Sequence, residues 1–160
     1  MKIKVLIKAP KGYTGKSVIT FYKVGDLIDL HTVENIDVKK GEDVVVSLGF
    51  ACELPKGMIA QIYPRSSLFK KTGLLLTNSV GNIDNSYNGS DDIWKAHFYA
   101  TRDIRVKAGV RLLQFNIVPS MYSTFFQKLR WMLSHRVSVE FVKSLSGTSR
   151  GGFGEGTKGR

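Results

Sequence analysis

From Lys2 to Lys8, apolar Ile3, Val5 and Ile7 alternate with Lys2, Lys4, Leu6 and Lys8, the two-residue period of a strand with a basic outer face. Between residues 18 and 118 the pattern changes to short apolar runs broken by glycine, proline and asparagine. Residues 44–46, 58–63, 74–76 and 115–118 each predict a strand. Lys40-Gly41, Pro55-Lys56-Gly57, Gly73 and Ala108-Gly109 predict the turns between them. Many short strands with regular turns predict an all-β sandwich or barrel. There is no internal repeat and no linker, so residues 1–146 read as one domain with a glycine-rich tail, 147–160, behind it.

Two segments predict helices. In the first, after Arg65, Ser66 and Ser67 stand at the cap, Lys70 and Lys71 near the negative end, and Gly73 at a left-handed exit. In the second, 123–135, Phe125, Phe126, Leu129, Met132 and Leu133 fall on one helical face, with Lys128 and Arg130 on the other side. That apolar face is expected to pack over the body or a subunit seam; a protein partner or a membrane surface is the other reading. A third segment misleads. Gly15-Lys16-Ser17 looks like a phosphate-binding loop, but the first glycine of G-x-x-x-x-G-K-S falls on Pro10. The β-branched and aromatic sequel, residues 18–22, predicts a strand and no helix N-terminus to cradle phosphate.

Composition narrows the class. Hydrophobic content of 42% and charged content of 23% are those of a globular chain. No apolar stretch approaches the ~18 residues of a membrane span. Residues 1–8 are too short and too charged for a signal-peptide core, so the expected location is cytoplasmic. Cys52 is the only cysteine, which excludes an internal disulfide and a cysteine metal cluster. The formal charge of +11 suits an anionic partner, yet the longest basic runs are pairs such as Lys39-Lys40 and Lys70-Lys71. That scatter describes a solvated cationic surface. It would attract a triphosphate without specifying one, and no aromatic-basic RNA-binding pattern appears.

The candidate chemistry centres on residues 78–87. Asp84 stands in a Gly/Asn/Ser-rich bend with Asn78 before it and Tyr87 after it, between apolar runs at 74–77 and 93–99. Two β-prone runs around such a bend predict a hairpin. An ordinary surface turn has the same composition. Three further segments occur in a fixed order around it: Tyr63-Pro64-Arg65-Ser66-Ser67-Leu68 before, Gly109-Val110-Arg111-Leu112-Leu113-Gln114 after, and Gly151-Gly152-Phe153-Gly154 in the tail. With Asp29-Leu30 upstream, this order resembles the trimeric, all-β dUTPase family (deoxyuridine triphosphate nucleotidohydrolases) over roughly residues 26–158.

The resemblance implies a distorted β-barrel or jelly-roll and the Mg2+-dependent hydrolysis of dUTP to dUMP and pyrophosphate, which limits uracil in DNA and supplies dUMP. It assigns Asp84 in Gly81-Asn82-Ile83-Asp84 as the general base that activates water. The resemblance also assigns Asn78, Gly81, Ile83 and Tyr87 to substrate binding. The amide of Asn78 would read the uracil edge, and the ring of Tyr87 would pack on the deoxyribose. Arg65, Ser66, Ser67 and Gln114 are assigned to the phosphates. By their residue types alone, Arg65 could instead be a salt-bridge partner, Ser66 a cap and Tyr87 a plain turn aromatic.

Asp29 would orient the hydrated metal indirectly, although Asp26 stands three residues away and the usual preceding glycine is absent. Phe153 and Gly154 would close over the nucleotide as part of a tail lid. Arg150, Lys158 and Arg160 are the candidate cations for the γ-phosphate, because Thr148 occupies the place of the family's usual arginine. Val110 replaces an acid common in the family. The implied assembly is a homotrimer with shared active sites, without a membrane or a specific nucleic acid, and with 123–135 open to a protein partner. A dCTP deaminase on the same fold would want a glutamate near the hairpin, where only Asp84 stands. A non-catalytic binding domain is the reading from another class.

Overall fold

The computed structural model describes residues 1–20, 26–134 and 137–147. In chain order its elements are β1 (Lys2–Ile7), α1 (Gly15–Val18), β2 (Ile19–Thr20), β3 (Ile28–His31), β4 (Ile36–Val38), β5 (Asp43–Glu53), β6 (Met58–Pro64) and α2 (Leu68–Thr72). There follow β7 (Leu74–Leu76), β8 (Gly81–Ile83), β9 (Ile93–Ala100), β10 (Ile104–Val106), β11 (Arg111–Pro119), α3 (Phe125–Met132) and β12 (Ser138–Phe141). The strands form one sheet in the order β12-β1-β5-β9-β7, a second in the order β2-β3-β11-β6-β8, and a β10-β4 ribbon. The all-β expectation holds, in the jelly-roll-like form of two sheets over a shared core.

Alternation explains the layering. In β9, Trp94, Ala96, Phe98 and Ala100 are buried while Tyr99 is exposed and Lys95 and His97 are half-exposed. In β11, Leu113, Phe115 and Ile117 are buried while Gln114 and Asn116 lie on the other face. Trp94 of the first sheet packs on Phe50 at 4.9 Å and on Phe115 of the second sheet at 5.4 Å between ring centroids. Truncating a buried aromatic of this kind costs ~3–5 kcal/mol, so this trio is a principal bond between the layers. All four predicted turns are present, with Gly41, Gly57, Gly73 and Gly109 at φ of 87°, 81°, 73° and 86°. Only glycine adopts that region without strain.

Four expectations need correction. Residues 15–18 form a single helical turn where no helix was expected, closed by Ser17 N–H donating to Thr14 C=O; the strand expected over 18–22 begins at Ile19 as β2, and residues 21 and 22 lie outside the described residues. The serine at the α2 cap, Ser67, has αR geometry and no capping hydrogen bond from its side chain, while the glycine exit forms as predicted, with Gly73 N–H donating to Phe69 C=O at 2.7 Å. The 74–77 and 93–99 runs do pair as β7 and β9. Between them, however, Gly81–Ile83 leaves for the other sheet and pairs with β6, so the site segment bridges the two layers and is no simple hairpin tip.

For α3, the structure corrects only the half of the expectation that concerns this chain's own body. Its capping box, Thr124 with Gln127, forms, but its apolar face is not packed over this chain's body: Phe125 is 72% exposed, Phe126 77% and Leu133 67%. The helix docks instead through Trp131, which packs on the core and donates from Nε1 to Ile117 C=O at 2.9 Å. Trp131 combines a large apolar ring with one N–H, and this position satisfies both. No helix among the described residues is long and apolar enough to cross a membrane.

Candidate active site

One cluster of charged groups lies where β3, β11 and β6 run side by side. Asp29 pairs with Gln114 across β3 and β11, and Gln114 pairs with Tyr63 across β11 and β6. Arg65 follows β6, and its N–H donates to Leu112 C=O at 3.0 Å. Asp29 lies on the face opposite the core residues Ile28 and Leu30, yet it is only 4% exposed, because two guanidiniums cover it. Arg65 Nη1 lies 3.1 Å and Arg111 Nη1 3.3 Å from the same oxygen, Asp29 Oδ2. Gln114 Nε2 points to Pro64 C=O at 3.5 Å. Beside them, His31 ring nitrogens meet Thr20 Oγ1 at 2.7 Å and Gly109 C=O at 3.2 Å. Burial pushes the His31 imidazole below its ordinary value, a shift that Gly109 C=O and Asp29 oppose and Arg65 reinforces.

Arg111 escaped the reading of the sequence for a geometric reason. It stands three positions before Gln114, an odd offset that in a regular strand puts the two on opposite faces. The register between β11 and β3 shifts between Arg111 and Leu113, so Leu112 and Leu113 both point inward and Arg111 joins Gln114 and Asp29. A bulge of this kind re-aims a side chain, and nothing in the spacing announces it.

A second cluster lies on the segment between β7 and β9. Asp84 is exposed, and its Oδ1 accepts from Ser86 N–H at 2.8 Å and Ser86 Oγ at 2.5 Å. Asn85 anchors the loop, with Nδ2 aimed at the carbonyls of Leu54, Pro55 and Met58 at 3.3, 2.9 and 3.2 Å. Tyr87 packs against the core and donates its hydroxyl to Ile93 C=O at 3.0 Å. Burial, then the nearby Asp92, pushes its phenol up. Asn78 is exposed, with its amide beside Gly81, while Gly81 and Ile83 are buried in the short β8 pairing. The roles of Ser86 and Asn85 also escaped the sequence, since polar residues in a polar bend carry no signal of their partners.

The two clusters stand apart in one chain. Ile83 pairs with Ala60, and Arg65 lies five positions beyond Ala60, just past the end of β6, roughly 17 Å away at about 3.3 Å per residue. The structure therefore gathers Asp29, Arg65, Gln114 and Arg111 in one place, and Asn78, Gly81, Ile83, Asp84 and Tyr87 in another. Ser66 and Ser67 follow Arg65 at the start of α2, and their hydroxyls make no hydrogen bond among the described residues. Glu53 fastens the last described residues, accepting from Ser146 Oγ at 2.6 Å and Ser146 N–H at 3.2 Å, and Gly147 bridges to Gly89. The expected tail groups Arg150, Phe153, Gly154, Lys158 and Arg160 lie outside the described residues.

The dUTPase family model matches residues 26–154. The chain belongs to the dUTPase family. It is 42% identical over 135 residues to the SPbeta prophage-derived deoxyuridine 5'-triphosphate nucleotidohydrolase YosS of Bacillus subtilis, covering 84% of this chain and 86% of that one. It is 36% identical over 130 residues to the deoxyuridine 5'-triphosphate nucleotidohydrolase of a Hydrogenobaculum species, covering 79% and 80%. Its fold is similar to the dUTPase of Streptococcus mutans, with a TM-score of 0.63, 24% identity, and coverage of 74% of this chain and 98% of that one. It is similar also to a dUTPase of the Staphylococcus aureus phage phi11, with a TM-score of 0.62, 17% identity, and coverage of 77% and 93%.

A dUTPase metal can be tested against the donors present. No group of three or more His, Cys, Asp or Glu among the described residues could hold an ion. Asp29, the expected indirect ligand, is buried with two guanidiniums on one oxygen. This donor set does not fit a resident metal. It fits a cation that arrives on the triphosphate, since Mg2+ keeps its waters and is held largely by phosphate oxygens.

Proposed function

We propose that this chain hydrolyses Mg2+-bound dUTP to dUMP and pyrophosphate by water attack at the α-phosphorus, at sites completed by more than one copy of the chain. The observation that carries this reading is the segment from Gly81 to Tyr87. There a carboxylate oriented by Ser86 and a ring fixed by its own hydroxyl stand on one anchored loop. Asp84 takes the proton of the attacking water, and its tie to Ser86 restricts the directions its carboxylate can adopt. Tyr87 cannot retreat from a sugar packed on it without losing the bond to Ile93 C=O, so a 2′-hydroxyl meets a firm wall.

Arg65 and Gln114 receive the phosphates, where a guanidinium offers paired donors to their oxygens. Ser66 and Ser67 add hydroxyls at the same place, Asn78 reads the uracil edge, and Asp29 reaches the ion only through water. The separation of Asp84 from Arg65 supports sharing of the site between copies, and a homotrimer is the assembly proposed. The tail from 147 onward leaves beside Gly89, close in sequence to Tyr87, and is proposed as a lid that brings Phe153, Gly154 and one of Arg150, Lys158 or Arg160 onto the nucleotide. A cytoplasmic location completes the reading.

Incubation with dUTP, dCTP, dTTP and UTP in the presence of Mg2+, followed by product analysis, tests it. Pyrophosphate and dUMP from dUTP are expected, at a rate well above the other three. Ammonia released from dCTP would indicate the deaminase reaction, and no product from any substrate would indicate a binding domain.

A further inference from the structure

Asp29, Arg65 and Arg111 form a unit that a simple ion pair would not replace. One oxygen, Asp29 Oδ2, accepts both guanidiniums, at 3.1 and 3.3 Å. The carboxylate side chain is 6% exposed, while the Arg65 and Arg111 side chains are 27% and 38% exposed. The cluster thus buries its negative centre and shows its cations outward. The β-bulge between Arg111 and Leu113 is what puts Arg111 on this face.

We propose that Arg111 is a positioning residue of the phosphate seat: with Asp29 it fixes the Arg65 guanidinium and keeps that seat net positive. This rests on the reading of the reaction given above. An Asp29–Arg65 pair alone would be neutral, and a carboxylate beside a phosphate-binding cation opposes the incoming anion. Arg111 offsets that carboxylate, so the three groups together carry a surplus of one positive charge. The two like-charged guanidiniums repel each other, and the shared oxygen is what holds them together. Removing Asp29 takes from both guanidiniums the oxygen they share. Removing Arg111 leaves Arg65 held by a carboxylate that now cancels it. Lysine at 111 would keep the charge but not the planar fork.

The test compares Arg111→Met, Arg111→Lys, Asp29→Asn and the Asp29→Asn/Arg111→Met double variant with the wild type, in the full-length chain. Three readouts are taken: dUTP turnover, pyrophosphate affinity by calorimetry, and melting temperature. Arg111→Met is expected to lower kcat/KM and pyrophosphate affinity about 10-fold or more, as loss of a charge-assisted contact does. Arg111→Lys should recover part of that loss. The same substitution in the Asp29→Asn background should cost much less, because interacting sites are not additive.

Wild-type pyrophosphate affinity in Arg111→Met, or losses that simply multiply in the double variant, would overturn the proposal. If Arg111→Met does not fold, Arg111→Lys decides, since a folded lysine variant with full affinity also overturns it. A chain inert toward dUTP that still shows the coupled loss of pyrophosphate affinity would refute the reaction and leave the positioning role standing.

Discussion

At the Asp29 end of the second sheet, a carboxylate 4% exposed is gripped by two guanidiniums, one just past the end of β6 and one at the bulge of β11. At the Asp84 end, an exposed carboxylate is steered by the neighbouring Ser86, in a loop anchored by the Asn85 amide among the carbonyls of Leu54, Pro55 and Met58. The first arrangement fixes charge and resists change, because a buried carboxylate without its cations is costly. The second leaves a carboxylate oxygen in contact with water, as the proposed general base requires. An anion seat and a proton acceptor have different needs. Separating them along β6 lets each have its own surroundings, and in the proposed reaction a second copy of the chain would bring them together.

Asp84→Asn should have the largest effect on this contrast. Turnover of dUTP is expected to fall ~10²-fold or more with little change in substrate binding, since the amide keeps the shape and loses the base. Steady-state kinetics with a separate binding titration checks it. Near-normal turnover would move the proton acceptor away from the loop.

Asn85→Ala comes next. It leaves Asp84 in place and removes the amide aimed at Leu54, Pro55 and Met58. The expected cost is about 1–3 kcal/mol of stability, for carbonyls left without this donor. Turnover should drop about 10-fold, because displaced catalytic groups lose their alignment. Thermal melting and kinetics read the two effects. An unchanged kcat would mean that the loop keeps its shape without its anchor.

Tyr87 sharpens the picture by selectivity. Tyr87→Ala should raise UTP hydrolysis relative to dUTP, whereas Tyr87→Phe, which keeps the ring and loses the bond to Ile93, should raise it less. An unchanged ratio in both would place discrimination elsewhere.

The smallest effect is at the arginine end. Burial holds the His31 imidazole low, so the stability that neutral His31 contributes is full above about pH 6.5 and is lost as pH falls through the lowered folded value. Melting temperature against pH should therefore fall more steeply on acidification for the wild type than for His31→Gln. Parallel curves would remove His31 from this balance.

Much of this was legible in the chain. β1, β5, β6, β7, β9 and β11 and all four glycine turns followed from local pattern, because alternation and left-handed geometry are local demands, whereas the short β3, β4, β10 and β12 carry too few residues to show a period. Asp29, Arg65 and Gln114 were legible as candidates, and the sheet register then brought them together. Arg111 was hidden by a bulge, Ser86 and Asn85 by the absence of any pattern in polar loop residues, and the crossing of Gly81–Ile83 to the other sheet by its dependence on β6. In α3, helical periodicity correctly marked Phe125, Phe126, Leu129, Met132 and Leu133 as one face. It could not tell that Trp131, off that face, would do the docking.

The central claim, that one copy supplies Asp84 and another supplies Arg65, is tested most directly by mixing two inactive variants. Asp84→Asn and Arg65→Ala chains are each prepared, unfolded together in equal amounts, refolded, and assayed for dUTP hydrolysis. If the halves come from different copies, random assembly leaves about a quarter of the sites with both groups intact, and turnover should recover to about that fraction. If both groups serve the same chain's site, every site lacks one of them. A mixture as inert as its components would contradict the account.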